Sequence, residues 1–562
     1  MRKKRWLALA LALTLCLALP GCGKKAPADS DPTPTAESGQ PSPSPTPAAG
    51  DSGTLTVCLG GEPGSIDPTA LASADEMALV AHMFEGLMKW SGGGKKAADG
   101  VTWAQVVPGM AESYQKADGP EGSVIYTFRL RQAKWSDGKA VTAHDFVYAW
   151  QRLVDPANGA DYADVLDWVN NAHAVAGGWA QLSDLGVRAV DDYTFEVTLE
   201  WDAPGFLELC AMPITAPLRQ DKIEEGGSQW TYGPDTYISN GPYKILNWDY
   251  GYLSMEKNPE YYEKVKGPNT IVFAFPSDAA TALASYQAGE IDFLLEPAAG
   301  QLEPDRVAYL GSYYLMFQTQ QAPFDDPLVR QAFSLAIDRT ALVEEQAPGQ
   351  TPAGGLVPGG TAGADGEYRS RAKESLDPSK KGYAANQERA KALLSQAGYP
   401  GGKGFPDVTY LCPDAPAHQA IGQALCEMWK EALGVSVTVE SLQWGDFLAR
   451  CHRGEFFMAR GRWVADYNDP FAFLELWFSE MQGNDARYAQ EQYDQLLERS
   501  ARAGNAGERM DLLAQAEDLL IGRDHALAPL YYETRSYLKK DAVKDVRYSP
   551  LGYFIFTEST KK

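Results

Sequence analysis

The sequence predicts an α/β fold, because strand patterns and helix patterns alternate from one end of the chain to the other. Near the start, residues 54–59 alternate between apolar and polar side chains, which is typical of a half-buried strand. Further on, apolar residues recur at helical spacing, namely Phe146, Val147, Trp150, Leu153 and Val154. A chain of 562 residues with 44% hydrophobic residues is long enough for two to four lobes with large cores.

The elements of the first half have clear boundaries. Residues 126–130 predict a second strand, and residues 133–139 predict a turn. Thr142, followed three residues later by Asp145, predicts the capped start of the helix described above. Asp155 and Pro156 end that helix.

The second half continues the alternation. Asp326 predicts a helix cap, with Pro327 at the first helical position. Residues 420–433 predict another helix, which Gly434 ends, and residues 435–439 alternate as a strand.

Residues 1–21 predict a signal peptide. Four basic residues at positions 2–5 precede an uncharged apolar run over 6–19, which is too short for a comfortable membrane span. The run ends Leu-Pro-Gly followed by Cys22, which resembles a bacterial lipobox whose cysteine is lipidated after export. The alternative is an ordinary secretory signal with an incidental cysteine, and Pro20 departs from the small residue usual in a lipobox.

Residues 22–52 predict a disordered tether. Residues 23–52 contain seven Pro and no Val, Leu, Ile or aromatic residue, so they cannot bury apolar surface. A tether of this kind would hold a folded body away from a membrane while leaving it mobile.

Composition and motifs argue against several classes of protein. The net charge is −24 and no basic stripe is visible, which argues against a nucleic-acid partner. No zinc-protease, serine-hydrolase, P-loop or dinucleotide motif occurs, and no two of the six His share a four-residue spacing. We therefore predict neither an enzyme, nor a metal site, nor a cofactor.

The cysteines favour an exported protein that does not depend on disulfides. The body beyond Cys22 contains five, an odd number, so at least one is free. A bridge between Cys412 and Cys426 is the pairing we considered, and the alternative is that each cysteine is a small buried hydrophobe.

Five ordered stretches carry a resemblance to a known family. They are residues 133–156, 240–243 (Asn-Gly-Pro-Tyr), 288–292 (Ala-Gly-Glu-Ile-Asp), 324–339 and 460–470. Together they resemble the oligopeptide-binding proteins of ABC importers, over nearly all of residues 53–562. The lipobox and tether fit the form that these proteins take in bacteria with one membrane.

The resemblance implies a clamshell of two lobes with an extra domain inserted in the first. Lobe I would comprise residues 53–78, 217–310 and 530–562, the extra domain residues 79–216, and lobe II residues 311–529. The hinge crossings would lie near Gly311 and Pro529. The resemblance also implies a monomer that binds oligopeptides and delivers them to the transmembrane subunits of a permease. A lipidated Cys22 would anchor it to the outer face of the cytoplasmic membrane.

The resemblance places the peptide between two backbone segments. A receptor that tolerates many sequences must bind the parts that all peptides share, and an extended peptide can pair with exposed backbone as an added strand. The implied segments are residues 61–65 on lobe I, with Glu62 and Gly64, and residues 461–464 on lobe II, with Gly461, Trp463 and Val464.

Asp466 matches the family's carboxylate that receives the α-ammonium of the peptide. A buried charge needs a partner, so an ammonium at that point is strongly favoured. The alternative is that Asp466 caps a turn within the sequence Ala-Asp-Tyr-Asn-Asp-Pro of residues 465–470.

Other family positions line the cleft by resemblance. Trp463, Trp444 and Tyr162 match cleft positions, with core packing as the alternative for each. Tyr531 and Tyr532 follow Pro529 and are expected to face the ligand near the hinge. Arg460 matches an arginine that can help to bind the carboxyl end, whereas Cys451 stands where some relatives carry a further arginine, which weakens the case for one fixed anchor there.

Two classes of function stay open at this stage. The first is a receptor that carries oligopeptides, or on the same scaffold a dipeptide, a nickel chelate, haem or an oligosaccharide. Asp466 favours peptides over sugars, because a sugar has no ammonium. The second is a surface enzyme or signalling receptor on the same scaffold.

Overall fold

The computed structural model describes residues 53–92, 101–298, 300, 302–481 and 483–562. The predicted signal peptide, Cys22 and the tether lie outside these residues. All five cysteines of the described part are free, Cys412 and Cys426 included.

A mixed sheet of eleven strands forms the centre of the described part. In spatial order the strands are Val437–Leu442, Val408–Pro413, Met458–Val464, Asp305–Phe317, Leu527–Lys539, Phe293–Leu295, Thr54–Cys58, Thr270–Ala274, Tyr252–Lys257 and Tyr243–Asp249, with Thr351–Pro352 pairing beside Leu527–Lys539. A helix joins one pair of parallel neighbours, because Pro416–Leu433 connects Val408–Pro413 to Val437–Leu442. The predicted α/β class is confirmed.

The sheet has two halves joined by its two longest strands. Asp305–Phe317 and Leu527–Lys539 lie side by side and antiparallel. On one side of them are strands from residues 408–464, and on the other are strands from residues 54–58 and 243–295. The pairing of the two long strands is interrupted between Ala308 and Ser312. A ladder that lacks bonds over a few residues is where two packed halves can turn most easily.

The interruption bears on the predicted hinge crossings. Gly311 lies within it, whereas Pro529 is paired with Tyr314. A Cβ atom on Gly311 would come within 2.6 Å of a carboxylate oxygen of Glu533, which lies opposite in the other long strand. The close approach of Glu533 accounts for a glycine here. The hinge itself stays a prediction.

A separate antiparallel sheet of four strands lies within residues 111–199. Its order is Ala111–Asp118, Val124–Leu130, Thr194–Leu199 and Val187–Asp191. The helix Ala143–Leu153 packs on it, with the rings of Trp150 and Phe195 in an edge-to-face contact at 5.4 Å. The predicted capping box is present, and a carboxylate oxygen of Asp145 accepts from the Thr142 N–H at 2.7 Å. This family signature therefore serves the core of the fold.

The remaining elements complete the layers around the sheets. Further helices are Ala74–Val80, Ala172–Ala176, Phe206–Leu209, Gln220–Gly226, Ala279–Ala288, Pro327–Leu335, Arg339–Gln346, Lys380–Gln396, Trp444–Arg453, Phe471–Leu474, Glu491–Ala501 and Ala506–Glu517. Short strand pairings join Met88–Ser91 with Gln105–Pro108, Ala362–Gly363 with Gly366–Glu367, Val543–Lys544 with Thr560–Lys561, and Arg547–Ser549 with Thr102–Trp103 and Tyr553–Ile555.

Two predicted elements of the second half have observed boundaries that differ from the expected ones. The helix expected over 420–433 begins at Pro416, because proline at the first helical position needs no hydrogen-bond partner for its nitrogen. It ends at Gly434, whose φ of 74° suits glycine, as expected. The strand expected over 435–439 spans Val437–Leu442, since the chain first turns back after the helix.

Candidate functional site

A cavity of about 470 Å³ lies between the predicted extra domain and the predicted lobe II. Its size is within the range of small-molecule and cofactor sites. The side formed by residues 161–209 contributes Asp161, Tyr162, Asp164, Val165, Trp168 and Leu209. The opposite side contributes Trp444, Arg460, Arg462, Trp463, Val464 and Asp466. Six of the eleven residues predicted to bind the ligand therefore share one cavity.

The strand Met458–Val464 carries most of the second side. One edge of it pairs with Asp305–Phe317 over the whole strand. The other edge pairs with Val408–Pro413 only at Met458 and Ala459. Beyond Ala459, no strand of the described residues occupies this second edge. Its backbone can therefore accept an added strand.

Gly461 in this strand serves packing. A Cβ atom there would lie 2.1 Å from a ring carbon of Tyr314, on the neighbouring strand. The ring of Tyr314 therefore lies directly on the backbone of Gly461, and the residue does not itself line the cavity. Trp463 is fixed by its indole N–H, which donates to the carbonyl of Ala472 at 2.8 Å.

The loop after this strand is held by several polar contacts. The Tyr467 hydroxyl donates to a carboxylate oxygen of Glu475 at 2.7 Å, and the Asn468 N–H donates to Glu208. Asp469 forms an ion pair with Arg509 at 2.6 Å. Asp469 also accepts from the N–H of Phe471 at 2.8 Å and so caps the turn that follows.

Asp466 differs from its neighbours in this loop. Its carboxylate faces the cavity, and within the described residues it has neither a hydrogen bond nor an ion pair. The turn-capping role considered as the alternative for Asp466 is filled by Asp469. Although water in the cavity reaches Asp466, protein surrounds it closely. This desolvation, together with the nearby charge of Asp164, raises the pKa of Asp466 to about 7.

Other carboxylates near Asp466 share this environment. Burial raises the pKa of Glu475 to about 7, and the charges of Asp466 and Asp469 add to that rise. Burial, together with the charge of Asp469, likewise raises the pKa of Glu208 to about 7. This end of the cavity therefore concentrates negative charge that a cation would stabilise.

Arg460 lines the same cavity as Asp466 and is a cation without an ion-pair partner among the described residues. The residue is 8% exposed, and its Nε has no hydrogen-bond partner. The guanidinium lies over the rings of Tyr313 and Trp444, at 5.1 and 5.8 Å from their centroids. No carboxylate in the described chain forms an ion pair with it. An incoming carboxylate would therefore find a desolvated guanidinium in the same cavity as Asp466.

Arg462, by contrast, already has a partner. Its guanidinium forms two bonds with the carboxylate of Glu533, at 2.6 and 2.8 Å. Glu533 lies in the strand Leu527–Lys539, at the interruption described above. Arg462 therefore adds little free positive charge to the cavity.

Besides Gly461, four predicted site residues lie outside this cavity. Glu62 accepts from the indole N–H of Trp248 at 3.3 Å, and the Gly64 N–H donates to Glu76 at 2.8 Å. Both are in a loop of the other half, in an exposed position. Tyr531 is buried and stacks on Tyr313 at 4.8 Å. Tyr532 is buried, and its hydroxyl donates to Glu374 at 2.8 Å. Their contact with a ligand stays a prediction.

Sequence reasoning missed several lining residues. Asp161 and Asp164 flank Tyr162, which was the available signal for them. Trp168, Leu209 and Glu475 carried no such signal, because only folding brings them to the cavity.

The described ranges contain neither a metal-binding cluster nor a candidate membrane span. There, no group of three His, Cys, Asp or Glu residues could hold a metal ion. In the same ranges, no helix has the length and apolar character needed to cross a membrane.

Comparison with known proteins gives consistent matches. The model of the family "Bacterial extracellular solute-binding proteins, family 5 Middle" matches residues 105–485. The periplasmic oligopeptide-binding protein OppA of Salmonella typhimurium is 34% identical over 509 residues, which are 87% of this chain and 89% of that protein. The unliganded open form of the murein tripeptide-binding protein MppA has a TM-score of 0.75 at 30% identity, covering 91% of this chain and 97% of that one. Haemophilus influenzae OppA in complex with the peptide RPPGFSPFR has a TM-score of 0.65 at 29% identity, covering 91% of this chain and 99% of that one.

Proposed function

The chain belongs to family 5 of the bacterial extracellular solute-binding proteins, and from this premise we propose that it captures oligopeptides and delivers them to an ABC importer. The observation that carries the proposal is the unpaired carboxylate of Asp466 beside a free strand edge in a cavity of about 470 Å³. A free peptide has an ammonium that can pair with the carboxylate of Asp466. It also has an extended backbone that can pair with the free strand edge.

We propose the following placement of the peptide. Its backbone pairs with residues 461–464, its α-ammonium contacts Asp466, and Arg460 binds a carboxylate. Trp444, Trp463 and Tyr162 line the spaces for side chains, where water can adapt to different residues. Glu62 and Gly64 approach from the other half when the lobes close.

We propose that the two halves close on the ligand. A ligand that contacts both halves stabilises only the state that makes both sets of contacts. We propose the boundaries given above for lobe I, the extra domain and lobe II, with the turn at the interrupted pairing near Gly311. Small-angle scattering should then show a smaller radius of gyration when peptide is bound.

We propose further that the protein is a monomeric lipoprotein, anchored at Cys22 on the outer face of the cytoplasmic membrane, which passes its ligand to permease subunits. The motivation is the signal, lipobox and tether pattern of residues 1–52. Changing Cys22→Ser should release the protein from cells into the medium. Unchanged retention on cells would contradict the anchor.

The test of ligand class is native mass spectrometry of the purified full-length protein. We expect a ladder of co-purifying peptides, and stoichiometric binding of added peptide without its turnover. Peptide turnover would support the enzyme alternative. A single non-peptide adduct that peptides do not displace would support another solute.

A further inference from the structure

The acidic end of the cavity contains more carboxylates than one α-ammonium can neutralise. Four carboxylates line the cavity, those of Asp161, Asp164, Asp466 and Glu475, against the guanidiniums of Arg460 and Arg462. Arg462 is already paired with Glu533, and Glu475 accepts a hydrogen bond from the Tyr467 hydroxyl. After Asp466 has taken an α-ammonium, Asp161 and Asp164 would still have no cation.

Asp161 and Asp164 are presented together by the local backbone. They flank Tyr162 at the start of the short 3-10 turn Ala163–Leu166. Asp164 lies within the turn and Asp161 lies just before its N-cap, Tyr162, and both aspartates line the cavity. Neither carboxylate has a hydrogen bond or an ion pair within the described residues.

Two observations distinguish this pair from ordinary surface charge. Asp164 lies close enough to Asp466 for its charge to contribute to the raised pKa of that group. The same cavity is lined by Arg460, which is more than nine-tenths buried and has an unpartnered Nε. Among the described residues, the cavity thus contains carboxylates and one guanidinium that lack partners. This is expected of a site whose ligand supplies the opposite charges.

We propose that the cavity prefers peptides whose first residue has a cationic side chain, lysine or arginine. This inference rests on the proposed peptide-binding function. The α-ammonium contacts Asp466, and the side-chain cation, on its flexible stem, reaches Asp161 and Asp164. A neutral first side chain leaves these two carboxylates unpaired, and an acidic one is repelled by them.

The test uses three tripeptides that differ at the first residue: Lys-Ala-Ala, norleucine-Ala-Ala and Glu-Ala-Ala. Norleucine keeps the length of the lysine stem and removes only the ammonium. For wild type, we expect lysine to bind about 5- to 30-fold more tightly than norleucine, between the effects of exposed and buried ion pairs. Glutamate should bind more weakly than norleucine.

The double variant Asp161→Asn/Asp164→Asn should reduce the preference for lysine over norleucine to less than about twofold. The matched control is Asp235→Asn/Asp541→Asn, because both residues are exposed and lie outside the cavity lining. This control should keep the full preference. A melting temperature that is the same for all three proteins excludes a general loss of fold.

The outcomes separate this inference from the proposed function. If lysine and norleucine bind wild type equally, and acetylation of their N-termini still weakens both, only the cationic preference is wrong. A preference that survives in the Asp161→Asn/Asp164→Asn variant also overturns it. If none of the three peptides binds, both the proposed function and this inference fail.

Discussion

Two arrangements of charged side chains in this protein differ in where their partners come from. Glu517 is 2% exposed and is bonded to Arg369 at 2.9 Å, to the N–H groups of Leu356 and Val357 at 2.7 and 2.9 Å, and to the Tyr368 hydroxyl at 3.1 Å. Every charge there is neutralised by the protein itself. In the cavity, Asp466 and Arg460 have no ion-pair partner within the described chain. The Glu517 arrangement therefore serves folding, whereas the charges of Asp466 and Arg460 are available to a ligand.

The largest expected effect tests the folding side of this comparison. Glu517→Gln should lower the free energy of unfolding by about 3–5 kcal/mol, because Arg369 would keep a buried charge without its partner. Urea denaturation measures this. Asp466→Asn is the matched control, since it removes no hydrogen bond and should not lower the urea midpoint. Equal losses for the two variants would contradict the distinction.

The next effect concerns the cationic end of the cavity. A hydrogen bond to a charged group contributes about 1.5–3 kcal/mol, so Arg460→Met should weaken binding of a short peptide with a free carboxylate by roughly 10- to 150-fold. The same peptide with an amidated carboxyl end should be affected much less. Calorimetry with both peptides measures the difference. Equal weakening would mean that Arg460 supports only the packing of Tyr313 and Trp444.

The pH dependence of binding gives a smaller effect with a defined sign. In the unliganded protein the pKa of Asp466 is about 7, and a bound ammonium must lower it, because an opposite charge favours the ionised form. Binding below about pH 7 therefore releases a proton, and affinity should fall by up to about tenfold per pH unit as the pH decreases. Above about pH 8 the peptide amine loses its own proton and affinity should fall again.

Asp466→Asn is the control for this profile. Glu475 and Glu208 also have pKa values of about 7, so they could contribute to the fall in affinity at low pH, the acidic limb of the profile. If Asp466 is responsible, the acidic limb should disappear in the variant while the alkaline limb remains. An acidic limb that persists would assign it to the other two carboxylates.

Much of the fold was predictable from local patterns. The capping box at Thr142 and Asp145, the strand from Thr54, and the glycine that ends the helix at Gly434 all rest on short-range chemistry that the sequence states directly. The membership of the solute-binding family was predictable as well, because several ordered stretches match.

The candidate site was predictable only in part. Asp466, Arg460, Trp444, Trp463, Val464 and Tyr162 share the cavity, and their contact with a ligand stays a prediction. What the sequence could not state is which charges lack partners. Asp469, and not Asp466, caps the turn, although either was a candidate in the sequence. Arg462 is paired with Glu533, and this contact joins distant segments of the chain. Asp161 and Asp164 likewise line the cavity only because the fold places the turn Ala163–Leu166 beside it.

The most direct measurement of the central claim is a four-way calorimetric comparison at pH 7.5. It combines a free and an N-acetylated peptide with wild type and Asp466→Asn. If Asp466 receives the α-ammonium, acetylation should weaken binding to wild type by about 2–5 kcal/mol, on the order of 30- to several-thousand-fold. Asp466→Asn should lose a similar amount for the free peptide and much less for the acetylated one. Equal binding of both peptides by wild type would contradict the account. So would equal weakening of both by the variant together with a lower melting temperature.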